Sequence, residues 1–389
     1  MDIAIFTDTF TPQINGIVTS INIFRKELTD MGHNVYVVAP KVTGYNDKAD
    51  NIVRYFSISY MFQPQYKIAF PYSLTVPKLS DLKLDIIHAQ TPFSMGLLAL
   101  YLAKKSRVPL VYTHHTFFDG YVHYIPLNRK LLQKLSVLGS RTYCNHCTLV
   151  LTPSHPMRDL LMEYGVKEKI VVLPTGIDLE SFTNNKLDNN IRQRYGISKS
   201  TKLLLYAGRI GEEKNLDFLL KSFRIVANRI SDVHLLLVGD GPLKYQLIDL
   251  AKELDIASQL SFTGYLPRSE VISCCASADL FVFSSMTETQ GLVLLEAMAA
   301  GTPVVAVDAL GVSALIKNGQ GGCLCEPSTE IFANRVYELL SSDSLRKQKA
   351  AQAKLRAEEF SSAKMAKRLV CCYSEARALF KSKASGSFQ

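Results

Sequence analysis

Short apolar runs alternate along this chain with longer helical stretches. In the first half the runs are Asp2–Phe6, Asn34–Ala39, Ile86–Ala89, Leu110–Thr113, Leu149–Thr152 and Ile170–Leu173. In the second half they are Lys202–Ala207, His234–Val238, Leu260–Thr263, Leu280–Ser284, Pro303–Val307 and Gly322–Cys325. Strands separated by helices in this way predict a parallel, doubly wound α/β sheet. Between the two sets lies Thr183-Asn-Asn-Lys-Leu-Asp-Asn-Asn-Ile-Arg-Gln-Arg, polar, turn-rich and without a strand run, and so the best linker. The pattern predicts two Rossmann-like domains of similar size, residues 1–182 and 183–363, with a C-terminal helix over about 364–382 packing back onto the first. Ligands are then expected beyond the carboxyl ends of the strands, in a cleft between the domains.

Length and composition sharpen this picture. A chain of 389 residues is too long for one ordinary core, and 47% apolar residues are enough to fill two. The formal charge of +9 favours acidic partners such as phosphorylated ligands, anionic lipid or nucleic acid. No run of about 18 apolar residues is present to span a bilayer, and the start, Met-Asp-Ile-Ala-Ile-Phe-Thr-Asp, reads as a strand rather than a signal peptide. Of eight cysteines, Cys144-Asn-His-Cys147 has the spacing that opens a zinc site, but no second pair follows it, and no metal is expected. The others fall in helix or strand interiors, which fits a reducing cytoplasm. The tail from Lys383 to Gln389 is expected to be disordered.

The most informative stretch is Thr287-Glu288-Thr-Gln290-Gly291-Leu292-Val-Leu-Leu-Glu296-Ala-Met-Ala-Ala-Gly-Thr-Pro-Val-Val-Ala. A helix starting near Gly291 places the amides of Gln290, Gly291 and Leu292 at its N-terminus, where unpaired N–H groups and the helix dipole suit an anion such as a phosphate. Glu288 then stands before the helix and Glu296 more than a turn inside it, an arrangement suited to two hydroxyl-bearing parts of one ligand. An exposed glutamate and a capping one on an ordinary surface helix would read the same way. Upstream, Gly208-Arg209-Ile-Gly-Glu-Glu-Lys214 follows a strand, and its two cations form a clamp for a diphosphate or a solvated helix start. Gly239-Asp-Gly-Pro and Gly264-Tyr265 end the next two strands; the latter's backbone suits a base, as would that of any turn.

Glu288-x7-Glu296 with Ala-Met-Ala-Ala-Gly-Thr-Pro-Val-Val, preceded by Gly208-Arg209…Lys214, Val238-Gly-Asp-Gly-Pro and Thr263-Gly-Tyr, resembles the donor half of retaining family-4 glycosyltransferases, over the whole second half of the chain. The resemblance implies a fold of two Rossmann-like domains facing across a cleft (GT-B). It also implies a nucleotide-sugar donor site in which Arg209 and Lys214 hold the diphosphate, Glu288 the sugar hydroxyls and Glu296 the ribose. The amides from Gln290 to Leu292 complete the cradle. One departure is Thr289-Gln290-Gly291, where the family often has Phe-Gly after the first glutamate. Near the N-terminus, the family's glycine-bearing loop corresponds to Asn15-Gly16, which would face the donor phosphate; Asn-Gly by itself reads as a left-handed turn.

The string Tyr112-Thr-His114-His115-Thr-Phe-Phe-Asp119-Gly-Tyr121-Val-His123-Tyr124 is similar to the His-Thr-x-Tyr-Glu-x-Tyr-x-His-Tyr segment of the diacylglycerol glucosyltransferase branch. That match implies that His115 is the active-site histidine at the donor sugar. It implies acceptor contacts from Asp119, Tyr121 and His123, with Asp119 one methylene shorter than the branch's glutamate.

Two features point to an anionic membrane surface as a partner. Between Lys104 and Arg158, Lys104, Lys105, Arg107, Arg129, Lys130, Lys134, Arg141 and Arg158 face Asp119 alone in acidic charge. Leu127, Leu131, Leu132, Leu135 and Leu138 form an apolar stripe beside Arg129, Lys130 and Lys134, to be read either as a membrane face or as core. A second candidate is the apolar segment Tyr60–Leu74, with Phe62 and Phe70. No stacking-platform motif accompanies the basic charge, so nucleic acid is not expected.

The expected activity is retaining transfer of a hexose, glucose from UDP-glucose, to a lipid hydroxyl such as that of 1,2-diacylglycerol, without cofactor or metal. The expected location is the cytoplasm, peripheral on the inner face of a membrane. Alternatives are a soluble sugar, glycan or inositol-lipid acceptor with GDP-mannose, a sugar-nucleotide epimerase, and a non-catalytic sugar-nucleotide binder. A dehydrogenase is disfavoured, because Thr7-Asp-Thr-Phe-Thr-Pro follows the first strand in place of a Gly-x-Gly-x-x-Gly turn.

Overall fold

The computed structural model describes residues 1–47, 49–60, 63–70, 82–118, 120, 128–183 and 190–386. The chain forms two compact units, Met1–Gly176 with Ser362–Gln389, and Ile177–Ser361.

The first unit contains β1 (Asp2–Phe6), α1 (Gly16–Asp30), β2 (Asn34–Pro40), β3 (Ile52–Tyr55), β4 (Ser57–Tyr60), β5 (Gln63–Ala69), β6 (Ile86–Ala89), α2 (Ser94–Ser106), β7 (Leu110–Thr113), α3 (Arg129–Cys144), β8 (Leu149–Thr152), α4 (His155–Glu163) and β9 (Ile170–Val172). Seven strands make a parallel sheet in the order β3-β2-β1-β6-β7-β8-β9. Alternate side chains fill its two faces. Ile3 and Ile5 pack with Val18, Ile21 and Phe24 of α1, while Ala4 and Phe6 pack with Met95, Leu98 and Leu102 of α2.

The second unit contains α5 (Glu180–Thr183), α6 (Ile191–Arg194), β10 (Lys202–Ala207), α7 (Leu216–Ala227), β11 (Val233–Val238), α8 (Lys244–Glu253), β12 (Leu260–Gly264), α9 (Arg268–Ser277), β13 (Leu280–Phe283), α10 (Leu292–Ala300), β14 (Val304–Val307), α11 (Val312–Leu315), β15 (Gly322–Cys325), α12 (Thr329–Ser341) and α13 (Asp343–Glu358). Its parallel sheet runs β12-β11-β10-β13-β14-β15. The last helix, α14 (Ser362–Gly386), returns to the first unit, where Met365, Leu369 and Tyr373 join the α1 side of the core. Strand order reverses beside β1 in one unit and between β10 and β13 in the other. The loops leaving those strands are where open α/β sheets place their ligands.

Three expectations change. The chain enters the second unit at Ile177, not after Phe182, because the Ile177 amide donates to the Phe360 carbonyl (2.8 Å) and Ile177 sits in the second core. The polar stretch expected to link the domains is therefore not the crossing. Its described end is helix α6, with Ile191 buried and Arg192 bonded to Asp279 (2.9 Å). Of the tail expected to be disordered, residues 383–386 continue α14, and 387–389 lie outside the described residues. Strand β3 and the antiparallel pair β4–β5 went unpredicted, since their polar and aromatic residues carry no continuous apolar run.

Candidate functional site

In the second unit the carboxyl ends of β10, β11 and β12 meet through glycines. A Cβ on Gly239 would lie 1.9 Å from the Gly208 carbonyl oxygen, so only glycine lets these ends approach. The Gly208 amide donates to the Val238 carbonyl (2.9 Å) and the Gly239 amide to that of Gly264 (3.0 Å). This anchors the start of the Gly208–Lys214 loop, and the buried Tyr206 hydroxyl holds the Arg209 carbonyl (3.0 Å). The end of the loop is sewn to the segment leaving β13. Ser284 Oγ donates to the Lys214 carbonyl (2.7 Å) and Ser285 Oγ to that of Glu213 (2.9 Å). These contacts bring Lys214 Nζ into an ion pair with Glu288 Oε1, both side chains mostly covered. Residues 74 apart in sequence thus share one site at the topological switch point.

The helix after Glu288 begins one residue later than Gly291. Gly291 is its N-cap, at φ +79°, and Leu292 its first residue, so Gln290 precedes the helix as a buried side chain. Gly311 closes over this turn. Its amide donates to the Glu288 carbonyl (2.9 Å), and a Cβ there would lie 1.9 Å from the Thr289 carbonyl oxygen. Glu296 lies in the second turn of α10 and pairs with Arg268 of α9 (3.2 Å). Burial pushes its carboxyl above the ordinary range, against the Arg268 charge. Gly264 is left-handed at φ +74°, and Tyr265 is well exposed beside it. Neither Gly311 nor Arg268 carries a motif that would have marked it in the sequence.

In the first unit, the loop after β1 is polar and tied internally. Asn15 is extended and caps α1 through Oδ1 to the Val18 amide (3.0 Å), while its Nδ2 donates to Thr9 Oγ1 (2.8 Å). Gly16 is the first residue of α1, so the left-handed turn read from Asn-Gly does not occur. Asp8 caps α2 instead, accepting from Ser94 Oγ (2.5 Å), Thr91 Oγ1 (2.6 Å) and the Met95 amide (3.0 Å). Burial raises its carboxyl above the ordinary range despite those bonds.

His115 lies just past β7. Its Nε2 meets Gln90 Oε1 (2.6 Å), and the neighbouring His114 is buried against the Tyr112 hydroxyl (3.1 Å). Gln90 Nε2 in turn meets Nε2 of the buried His88 (3.1 Å). Burial drives the pKa of His115 down to about 3, with the His114 charge adding to the effect, and that of His88 down to about 3, with His115 adding. Both rings are therefore neutral at neutral pH. In the unfolded chain they titrate near about 6.5. The stability they contribute is complete above that value and is lost as pH falls toward 3, at a limiting slope of about 1.4 kcal/mol per pH unit for each. Urea midpoints at pH 7 and pH 5 should show this loss; equal midpoints would contradict it.

Asp119, Tyr121, His123 and Phe62 lie outside the described residues. Phe70 is described and 44% exposed. The leucines of α3 are not core: Leu131, Leu135 and Leu138 are 55%, 53% and 49% exposed, and Arg129, Lys130 and Lys134 are exposed with them. The helix buries only Ser140, Tyr143 and Cys144, near its end. Cys144 and Cys147 are buried in the apolar core, and no group of three His, Cys, Asp or Glu side chains suited to a metal occurs among the described residues.

Residues 14–181 match the family model "Glycosyltransferase Family 4" and residues 188–356 match "Glycosyl transferases group 1". Over 312 residues the chain is 35% identical to the alpha-monoglucosyldiacylglycerol synthase of Streptococcus pneumoniae strain R6, covering 79% of this chain and 71% of that one. The chain belongs to glycosyltransferase family 4. Another relative of this glycosyltransferase, the alpha-monoglucosyldiacylglycerol synthase of Acholeplasma laidlawii, is 28% identical over 354 residues, 87% of this chain and 88% of that one. The architecture is GT-B. Sucrose-phosphate synthase from Thermosynechococcus elongatus superposes with a TM-score of 0.77 at 18% identity, covering 97% of this chain and 99% of that one.

A surface of this glycosyltransferase that sequence reading missed is on α2. Phe93, Leu97 and Tyr101, four residues apart, are 55%, 59% and 59% exposed, with Lys104 and Lys105 at the end of the same helix. The β4–β5 hairpin is joined to that helix by the Ala69 amide on Ser94 Oγ (3.2 Å) and exposes Phe56, Ile58, Ile68 and Phe70. The period of four was the available signal.

Proposed function

We propose that this glycosyltransferase moves glucose from UDP-glucose to the hydroxyl of diacylglycerol at an anionic membrane surface, with retention at the anomeric carbon. The observation that carries the donor site is the Lys214–Glu288 pair at the switch point of the second sheet. An ammonium can share its three N–H donors between a carboxylate and a phosphate, which puts diphosphate and sugar hydroxyls side by side. The glucose and the diacylglycerol come from the relatives' names, and the exposed leucines of α3 support a lipid acceptor.

In this reading the glycosidic C1–O bond to the β-phosphate breaks as the acceptor oxygen bonds to C1 on the same face, and the acceptor proton passes to the departing phosphate. Arg209, Lys214 and the amides of Gln290, Gly291 and Leu292 stabilise the charge that develops on the diphosphate. The family resemblance assigns Gly16 to the donor phosphate. Glu288 holds sugar hydroxyls, Glu296 the ribose, and the Gly264-Tyr265 backbone the base. His115 contacts the sugar, while Asp119, Tyr121 and His123 contact the acceptor. No metal or cofactor takes part.

Thermal shift with UDP and GDP tests the donor assignment. A ligand at 100 times its Kd stabilises the folded state by about 2.7 kcal/mol. UDP should raise the melting temperature of the wild type and not that of Lys214→Ala. A larger shift with GDP would move the donor to a guanosine nucleotide.

Glu296→Gln separates binding from stability. Because burial disfavours the charged carboxyl, the neutral amide should hold or raise stability at pH 7, while KM for the donor rises by roughly tenfold or more with loss of charged hydrogen bonds worth about 1.5–3 kcal/mol. A variant less stable at pH 7 with donor KM unchanged would show that Glu296 serves packing instead.

A further inference from the structure

Glu296 is the one charged residue of α10, and Arg268 stands against it from the first position of α9. The place of Arg268 is fixed by the backbone. Pro267 precedes the helix in an extended conformation, and its carbonyl accepts from the amides of Glu270 (2.9 Å) and Val271 (3.1 Å). The two helices contribute Cys275, Leu294 and Met298 to one core, and Thr302 Oγ1, just past α10, donates to the Cys275 carbonyl. Both partners are thus carried on packed helices of the second unit.

Arg268 Nη2 lies 3.2 Å from Oε1 of Glu296, and among the described residues it is the only polar partner Glu296 has. An ionised carboxylate accepts about four hydrogen bonds, so Oε2 and part of Oε1 remain for a ligand. The side chain of Glu296 is only 17% exposed. A carboxylate so covered and so little bonded within its own protein is costly to hold, unless a ligand with adjacent hydroxyls completes it. Its surroundings leave Arg268 as the cation acting on it among the described residues. The nearby Cys275 thiol is pushed well above its ordinary value by burial, with the Glu296 charge adding, and stays neutral. Lys354 of α13 stands at Gly301, past the other end of α10, and β13 and β14 carry no titratable side chain.

We propose that Arg268 is a positioning residue that holds Oε1 of Glu296 and turns Oε2 to the ribose, so that the pair selects a ribonucleotide over its 2′-deoxy form. This rests on the reading of Glu296 as the ribose contact. Adjacent hydroxyls donate best to an ionised carboxylate held in one orientation. The guanidinium supplies both conditions: it fixes one oxygen, and its charge opposes the burial that favours the neutral acid. Without it the carboxyl keeps its proton to higher pH and becomes a donor where the ribose needs an acceptor.

The test is the ratio of Kd for the 2′-deoxy nucleotide to Kd for the ribonucleotide, measured by calorimetry with UDP and GDP, each against its deoxy form. Diphosphate and base are common to each pair, so their own titration cancels. In the wild type the better-bound pair should give a ratio of about tenfold or more, as expected for a hydrogen bond to a charged group. Glu296→Gln should bring the ratio close to one at every pH. Arg268→Met should lower it about fivefold or more at pH 7, with recovery toward the wild-type ratio by pH 9 as Glu296 ionises. The double variant should match Glu296→Gln, since Arg268 acts only through that carboxylate. A wild-type ratio in Arg268→Met at pH 7, or a loss that pH 9 leaves unchanged, would overturn the proposal while leaving Glu296 at the ribose. Arg268→Lys keeps the charge and should show no change between pH 7 and pH 9; a ratio that rises with pH there would also overturn it. A ratio near one in the wild type, or one unaltered in Glu296→Gln, would instead take Glu296 away from the ribose and the proposal with it.

Discussion

Replacing Lys214 with alanine is expected to lower kcat/KM for the donor by about 10³-fold, most of it in kcat. In the proposed reaction the departing group is a diphosphate with Lys214 beside it, and a preorganised cation there acts where charge grows rather than where the substrate merely rests. The ammonium is placed by backbone contacts that the substitution leaves intact: the Lys214 carbonyl still accepts from Ser284 and the Glu213 carbonyl from Ser285. Lys214→Arg should recover little, since a planar fork does not replace a compact point charge against Glu288. Steady-state kinetics with varied donor, alongside melting curves, check both. Retained activity in Lys214→Ala would remove the diphosphate role of the pair.

The second large effect is on the acceptor side. Changing Leu131, Leu135 and Leu138 together to glutamate should weaken binding to anionic vesicles by about 10²-fold or more, as each leucine gives up apolar burial worth about 1.5–3 kcal/mol when complete. Added negative charge beside Arg129, Lys130 and Lys134 works in the same direction. Folding stability should change little, because these side chains are half exposed and α3 buries only residues near its C-terminal end. Vesicle sedimentation and lipid transfer should fall together, while the UDP thermal shift stays as in the wild type. Unchanged sedimentation would move the membrane face to α2 and the β4–β5 hairpin, or remove it.

Most of the fold was legible because central parallel strands are buried on both faces and so read as continuous apolar runs; β1, β6, β7, β8 and β10 have the bounds the runs predicted, as does the edge strand β15. The hairpin β4–β5 was not, since one of its faces is exposed and aromatic residues stand where a buried run would be. The crossing between units was misplaced for a related reason. Polar composition marks a surface stretch, whereas the true crossing at Ile177 is held by a backbone bond to Phe360 that no residue type announces. The residues proposed for the donor were visible because they fall in short local patterns, Gly208-Arg209 with Lys214 after one strand and Glu288 with Glu296 around one helix start. Arg268 and Gly311 were not, because each reaches its partner across the fold and leaves no local pattern. The α3 leucines were seen but could be read as core or as surface, and only their exposure decides that.

Transfer of glucose to diacylglycerol is tested by product analysis after incubation with UDP-glucose, UDP-galactose or GDP-mannose and diacylglycerol in vesicles with and without anionic lipid. An α-glucosyl diacylglycerol, its anomeric configuration read by proton NMR, is expected from UDP-glucose and should form faster on anionic vesicles. A β-linked product, or donor turnover that leaves the lipid unmodified, would contradict it.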